Sequence, residues 1–145
     1  MRTYLDSSLV VSLYAADANS IAAVAALLHC LDTPVLSVFC ELEVMNALSA
    51  KAFRNEISIQ ESKLAIDAFE RDARAGLFKL TLLPKEAFPR ARKLTQSITP
   101  QTGIRSADLL HIAIALELGV VNFLSFDRLQ RRVAEDAGLV LNPLP

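Results

Sequence analysis

Short apolar runs alternate along the chain with longer stretches in which apolar residues recur every three or four positions. The first pattern predicts buried strands, and the second predicts helices packed on one side. The predicted strands are Arg2–Leu5, Pro34–Val38, Phe78–Leu83, Val120–Phe126 and Leu139–Leu141. The predicted helices are Ser8–Ala16, Ile21–Leu31, Phe39–Arg54, Ser58–Ala75, Lys85–Thr95, Arg105–Leu118 and Asp127–Ala137.

This alternation of strands and helices indicates an α/β fold. Short apolar strands joined by helical connections form a mainly parallel sheet that is covered on both faces. The chain has 145 residues and contains no internal repeat, low-complexity tract or linker. We therefore predict a single domain spanning residues 1–145.

Three segments allow more specific predictions. Ser58 is followed by Glu61, a spacing typical of a capping box at the start of a helix. Helix Ile21–Leu31 is nearly all Ala, Leu, Val and Ile, so most of its circumference is predicted to be covered by protein. The segment Gln96–Gly103 is rich in Ser, Thr, Gln, Pro and Gly and is predicted to be a polar loop.

The charge distribution is uneven, although the net charge is only −1. That total excludes a general attraction to nucleic acid or to anionic membranes. The first fifty residues contain one basic residue and five acids, and the other fourteen Lys and Arg residues follow. A basic surface beside an acidic pocket is therefore compatible with the neutral total.

Cysteine usage and hydropathy predict a cytoplasmic location. Cys30 and Cys40 lie in apolar surroundings, and the N-terminus lacks the basic and apolar regions of a signal peptide. Both cysteines are therefore predicted to be reduced, buried thiols. The apolar stretch Leu109–Phe126 is interrupted by polar residues and Gly119. It is better explained by a helix, a glycine stop and a strand than by a membrane span.

Three acids are placed where the predicted fold brings chain segments together. Asp6 ends the first strand and Asp127 ends the fourth, so both point to the same edge of a parallel sheet. In open α/β sheets this is the edge at which ligands bind. Asp108 lies in the first turn of an apolar helix, whose neighbouring residues hold that turn against protein. Taken singly, Asp6 and Asp127 are explained as helix caps and Asp108 as a first-turn acid.

Glu43 is the fourth candidate, with Glu41 as the alternative. The two side chains point roughly 160° to 200° apart on a helix. Glu43 shares a small, partly polar stripe with Asn46 and Ala47, whereas Glu41 lies in the first turn, where exposed acids are common. The small stripe suits an acid that faces a pocket, and we therefore choose Glu43.

Four acids meeting at one sheet edge predict a cation site. Crowded carboxylates raise one another's pKa values unless a cation lies among them. Oxygen ligands from Asp and Glu suit Mg²⁺ or Mn²⁺, and the chain has no Cys/His cluster of the kind that binds zinc. Such a site orients and deprotonates a water molecule in phosphodiester hydrolysis.

Residues close to these acids give weaker signals. Asn46 and His111 each follow an acid by three residues on the same helix face. The Asn46 amide is a candidate for holding Glu43, whereas His111 is interpreted as a partly buried, hydrogen-bonded histidine without a catalytic role. Ser7 caps the first helix or hydrogen-bonds to Asp6. Arg105 and Arg128 are candidates for contacting phosphates or are solvated charges.

Four segments of the chain resemble the acidic motifs of PIN-domain proteins, and in particular of VapC-type toxins from bacterial toxin–antitoxin pairs. They are Tyr4–Ser8, Glu43–Leu48, Ser106–Ala113 and Leu124–Arg128. The resemblance spans the whole chain in order. Ser125 stands where the family often has Thr, which keeps a hydroxyl at that position.

The resemblance implies a three-layer α/β/α fold with a central, mainly parallel sheet of four to five short strands. It implies an Mg²⁺- or Mn²⁺-dependent endoribonuclease in which Asp6, Glu43, Asp108 and Asp127 match the metal-binding acids. It also implies a homodimer and inhibition by a small cognate antitoxin. Helix Ile21–Leu31 and the helix pair within 39–75 are the surfaces we expect for those contacts.

Three other interpretations remain. A phosphoacceptor receiver domain requires a pair of adjacent acids early in the chain and a late Lys, but Asp6 has no acidic neighbour and no Lys follows Lys93. A PIN-like binding module without catalysis is disfavoured because all four acids are present. A nuclease that acts on DNA with the same acids is the third alternative.

Overall fold

The computed structural model describes residues 2–141, which form four strands and seven helices. The strands are β1 (Thr3–Leu5), β2 (Val35–Ser37), β3 (Lys79–Thr81) and β4 (Asn122–Leu124). The helices are α1 (Ser7–Tyr14), α2 (Ser20–Leu28), α3 (Val38–Phe53), α4 (Ile59–Arg74), α5 (Ala87–Thr102), α6 (Ser106–Glu117) and α7 (Arg128–Asp136). This order confirms the predicted alternation, and the capping box at Ser58 and Glu61 is also present.

The four strands form one parallel sheet in the order β3-β2-β1-β4. The chain moves outward from β1 to β2 and β3 and then returns to place β4 on the other side of β1. The direction of travel therefore reverses between β1 and β4. In open α/β sheets the crevice outside the carboxyl ends of the strands at such a reversal is where ligands bind.

Successive residues of the inner strands point to opposite faces of the sheet. Tyr4 and Phe123 pack with residues of α5, α6 and α7, whereas Leu5 and Leu124 pack with residues of α1, α2, α3 and α4. This alternation follows from the two-residue period of a strand. The sheet is therefore covered on both faces, which confirms the three-layer α/β/α architecture.

Helix α6 lies with α5 and α7 in the layer that covers the face of the sheet carrying Tyr4 and Phe123. Its residues from Leu109 to Ala115 are all buried. Gly119 follows with a φ of 62°, a left-handed conformation that suits glycine and ends the helix. The apolar stretch Leu109–Phe126 is thus a helix, a glycine stop and a strand, as predicted. No helix within residues 2–141 is both long and apolar enough to cross a bilayer.

The predicted polar loop Gln96–Gly103 is wrong, because α5 continues to Thr102 and includes Pro100. Leu94 and Ile98 both pack against the core around α6, four residues apart on one face of the helix. This packing extends the helix through polar residues and the proline. Gly103 ends it with a φ of 66°.

Two other expectations need correction. The predicted strand Leu139–Leu141 is a single parallel bridge between Val140 and Asn122. Helix α2 is not covered over most of its circumference, since Ile21 is 88% exposed and Leu28 is 79% exposed. Ala23 and Ala26 of α2 are buried, and Leu27 packs against the core from a partly buried position. Ile21, Val24 and Leu28 form an open apolar face.

Candidate active site

Hydrogen bonds join the turn after β1 to the turn after β4. The Asp6 backbone N–H donates to the Leu124 carbonyl at 2.9 Å. The Phe126 backbone N–H donates to Ser8 Oγ at 3.1 Å, and Ser125 Oγ donates to Asp6 Oδ2 at 3.4 Å. The two strand ends that carry Asp6 and Asp127 are therefore held together at the reversal in the sheet.

Asp6 and Asp127 each cap the helix that follows. Asp6 Oδ2 accepts a hydrogen bond from the Ser8 backbone at 2.9 Å, and Asp127 Oδ1 accepts one from the Gln130 backbone at 2.7 Å. Both also line one cleft. Capping and a role in the site are therefore compatible, because each cap uses only one of the two carboxylate oxygens.

Glu43 faces the same cleft, and Glu41 is absent from the cleft lining. Glu43 Oε2 accepts a hydrogen bond from Ser7 Oγ at 3.0 Å and pairs with His111 Nε2. Ser7 therefore neither caps α1 nor bonds to Asp6 among the hydrogen bonds of residues 2–141. It holds the carboxylate that projects from α3.

His111 belongs to this cluster and is more buried than expected. Its side chain is 1% exposed, and Nε2 lies 3.4 Å from Asp6 Oδ1 as well as against Glu43. One potential ligand atom from each of these three residues lies within 4.8 Å of the others. The three-residue spacing predicts that His111 shares a helix face with Asp108, but only the fold brings Asp6 and Glu43 to it.

Asp108 enters the cleft from the first turn of α6 and pairs with Arg105. The Arg105 Nε to Asp108 Oδ2 distance is 2.9 Å. Burial raises the pKa of Asp108, and the charges of Asp127 and Asp6 act in the same direction, against the lowering effect of Arg105. The guanidinium is thus paired with a site carboxylate in this structure.

The cleft has a volume of about 470 Å³ and is lined by acidic, basic and hydroxyl side chains. Asp17 adds a fifth carboxylate, and Lys51 and Arg54 add positive charge. Asn46 and Arg128, predicted as substrate contacts, are exposed and do not line the cleft. The charged lining residues are Asp6, Asp17, Glu43, Lys51, Arg54, Arg105, Asp108 and Asp127.

Sequence reasoning missed Gln130. This side chain is fully buried, and its Nε2 donates to Asp6 Oδ1 at 3.1 Å and to the Asp108 carbonyl at 3.2 Å. Its Oε1 is the only buried side-chain N or O atom without a hydrogen-bond partner in the part of the chain that the structure describes. A signal existed, because Gln130 shares the apolar stripe of α7 with Val133 and Ala134.

The donor set fits a hard divalent cation. Four carboxylates from four segments line one cleft, and burial raises the pKa of Asp108 in spite of the neighbouring Arg105, with a further raising effect from the charges of Asp127 and Asp6. A cation among them offsets these effects. Carboxylate oxygens are the ligands preferred by Mg²⁺ and Mn²⁺. Nε2 of His111 lies beside the carboxylates of Asp6 and Glu43.

Residues 3–136 match the model of the PIN domain family. The chain therefore belongs to the PIN domain family, as the four acidic motifs suggested. Among curated proteins, no significant match is found.

Three solved structures of bacterial proteins share this fold. The toxin VapC20 of Mycobacterium tuberculosis, which cleaves the Sarcin-Ricin loop, is 15% identical, with a TM-score of 0.70 and coverage of 95% of this chain and 96% of that chain. FitAcB from Neisseria gonorrhoeae is 16% identical, with a TM-score of 0.68 and coverage of 96% of this chain and 95% of that chain. VapBC-1 from nontypeable Haemophilus influenzae is 16% identical, with a TM-score of 0.67 and coverage of 98% of this chain and 97% of that chain.

Proposed function

We propose that this protein is an Mg²⁺- or Mn²⁺-dependent endoribonuclease and the toxin of a toxin–antitoxin pair. The observation that carries the proposal is the convergence of Asp6, Glu43, Asp108 and Asp127 on one cleft at the reversal of the sheet. Membership of the PIN family and the shared fold with VapC20, a toxin that cleaves the Sarcin-Ricin loop, support it.

The four carboxylates would hold the cation, which supplies activation of a water molecule and stabilisation of charge on the leaving oxygen. Asp6 is oriented for this role by Gln130 at Oδ1 and by Ser8 and Ser125 at Oδ2. Ser7 and His111 orient Glu43.

Basic residues at the rim of the cleft would bind the phosphates of the RNA backbone. Lys51, Arg54 and Arg105 line the cleft beside the carboxylates. Their positive charge lies where a bound strand needs it, although the protein as a whole has a charge of −1.

The decisive experiment is cleavage of structured and single-stranded RNA by purified protein with Mg²⁺, Mn²⁺ or EDTA. Asp6→Asn keeps the cap of α1, since Asn and Asp are equally good N-caps, but removes a ligand charge. We expect a loss of at least about 100-fold in cleavage rate, and a similar loss for Asp108→Asn. Asp67→Asn, on the exposed face of α4, is the matched control and should cleave normally.

The same experiment separates the alternatives. Cleavage that resists EDTA and both site substitutions would overturn the proposed metal mechanism. Cleavage of DNA in preference to RNA would identify a DNA-directed nuclease. RNA binding without any cleavage would identify a binding module.

We further propose that the protein, a single domain of residues 1–145, forms a homodimer and binds a small antitoxin. The open apolar face of α2 supports this proposal, and so does an apolar groove of about 360 Å³ between α3 and α4 that includes Phe53 and Ile59. FitAcB and VapBC-1 share the fold. A toxin that acts on RNA and is restrained by an antitoxin would work in the cytoplasm.

A further inference from the structure

A chain of buried side chains runs from the sheet to the acidic cleft. Ser37 Oγ lies 2.8 Å from the Tyr4 hydroxyl, and that hydroxyl lies 2.8 Å from His111 Nδ1. His111 Nε2 then pairs with Glu43 Oε2. Ser37, Tyr4 and His111 are each at most 1% exposed, so water does not compete for these hydrogen bonds.

The hydrogen atoms available to these side chains determine which atom donates in each hydrogen bond. Ser37 Oγ accepts the Cys40 backbone N–H at 3.1 Å, and within residues 2–141 its other partner is Tyr4. The serine hydrogen therefore needs Tyr4 as its acceptor, and the tyrosine hydrogen then points to His111 Nδ1. A tyrosine hydroxyl carries its hydrogen at neutral pH, so Tyr4 has a hydrogen to donate.

With Nδ1 acting as an acceptor, the ring hydrogen of His111 lies on Nε2. That nitrogen faces Glu43 and Asp6, both of which are acceptors when ionised. In the opposite arrangement, Nδ1–H donates to Tyr4, Tyr4 donates to Ser37, and the serine hydrogen has no acceptor among the described residues. The bare Nε2 would then face two carboxylates without a hydrogen between them, which is unfavourable.

We propose that His111 is a positioning residue, and not a metal ligand, because its Nε2–H holds Glu43 and its Nδ1 is held by Tyr4. This inference rests on the proposed function in assigning Glu43 to the metal site. Glu43 Oε2 receives hydrogen bonds from both His111 and Ser7. The other oxygen, Oε1, is thereby left for the cleft.

The nitrogen of His111 that carries the ring hydrogen can be identified by ¹⁵N NMR of histidine side chains. The protein contains only two histidines, and the His29→Gln variant assigns the signals. In the metal-free protein we expect His111 to carry its hydrogen on Nε2, with a bare, hydrogen-bonded Nδ1. Addition of MgCl₂ should leave that hydrogen in place. A hydrogen on Nδ1 in the metal-free protein, or loss of the Nε2 hydrogen on adding MgCl₂, would overturn the proposal.

Tyr4→Phe tests the donor to Nδ1. The ring of Tyr4 stacks on Phe123 with an angle of 8°, and phenylalanine preserves that packing. The Nδ1 signal of His111 should shift while the hydrogen stays on Nε2. Tyr14→Phe is the matched control, because the Tyr14 hydroxyl bonds to Asp72 on the α4 side and should move neither signal. An unchanged Nδ1 signal in Tyr4→Phe would contradict the proposed hydrogen bond from the Tyr4 hydroxyl to His111 Nδ1.

Metal affinity provides a second readout. His111→Ala should weaken Mn²⁺ binding by about 10–100-fold, as expected when a residue that orients a ligand is lost. His111→Gln keeps an N–H donor towards Glu43 and should restore most of that affinity; equal loss in both variants would count against positioning. If the wild-type protein binds no Mn²⁺, the proposed function fails. The metal-free NMR spectrum still shows which nitrogen of His111 carries the hydrogen.

Discussion

Asp6 shows how one residue serves both the fold and the site. Its backbone bonds to β4, one carboxylate oxygen caps α1, and the other accepts from Gln130 and approaches His111. Every polar atom is therefore held before any ligand binds. Such preorganisation limits the reorganisation that a bound cation or substrate has to impose.

Gln130→Glu tests the amide that holds Asp6. The change replaces a donor by a carboxyl in a fully buried position beside Asp6. We expect the free energy of unfolding to fall by about 3 kcal/mol or more at pH 7. Burial and Asp6 raise the pKa of the introduced carboxyl, so the deficit should be smallest below about pH 4 and grow as pH rises.

Denaturant unfolding between pH 4 and pH 8 measures this dependence. Gln60→Glu is the control, because Gln60 is exposed in the first turn of α4, where an acid is favourable. Equal stabilities of the two variants at pH 7 would show that the contact to Asp6 contributes little.

At the scale of elements, packing overrides local composition in α5 and α2. The α5 stripe of Leu94 and Ile98 keeps the chain helical through Pro100, which lacks a backbone N–H. Helix α2 has the composition of a buried helix, but Ala23 and Ala26 are its only buried residues and Ile21 and Leu28 are exposed. In both helices, long-range contacts decide what the local sequence leaves open.

The two prolines of α5 provide a test of this view. Pro100→Ala restores a donor in the last turns of the helix and should raise the free energy of unfolding by about 1–2 kcal/mol. Pro89→Ala changes the first turn, where a missing N–H costs nothing, and should be neutral or lower stability by up to about 1 kcal/mol. Thermal or denaturant unfolding distinguishes them, and a stability loss in Pro100→Ala would refute the argument.

At the scale of the whole molecule, basic side chains lie beside the acidic cleft, where RNA is proposed to bind. Lys51 and Arg54 line the acidic cleft but are both paired with Glu56. The pKa of Glu56 is lowered to about 2, chiefly by the hydrogen bond from Arg54. Glu56 is therefore ionised at neutral pH, where it pairs with both basic residues.

Glu56→Gln should release these two basic side chains for RNA. We expect tighter binding of single-stranded RNA, measured in the Asp6→Asn background to prevent cleavage. The slope of log K against log salt should steepen by about 0.7 for each additional phosphate that the protein neutralises. Glu70→Gln makes the same charge change beside Arg74 and away from the cleft. Equal salt slopes in the two variants would argue against a role of Glu56 in RNA binding.

Leu28→Glu tests whether the open face of α2 mediates assembly. Light scattering after size-exclusion chromatography should show a lower molar mass for the variant, because a charge is costly in an apolar interface. Leu82→Glu is the matched control, since Leu82 is 78% exposed and Leu28 is 79% exposed. An unchanged molar mass for Leu28→Glu would remove α2 from the proposed dimer interface.

The sequence by itself determined the order of the elements, the α/β class and the four acidic motifs, because these depend on local periodicity and on position relative to strand ends. The bounds of the elements, the helix through Pro100 and the open face of α2 depend on packing between distant segments. The contacts of Gln130 with Asp6, and of His111 with Tyr4 and Glu43, join residues far apart in the chain. Only the tertiary structure decides them, since no local pattern encodes which distant polar atoms meet.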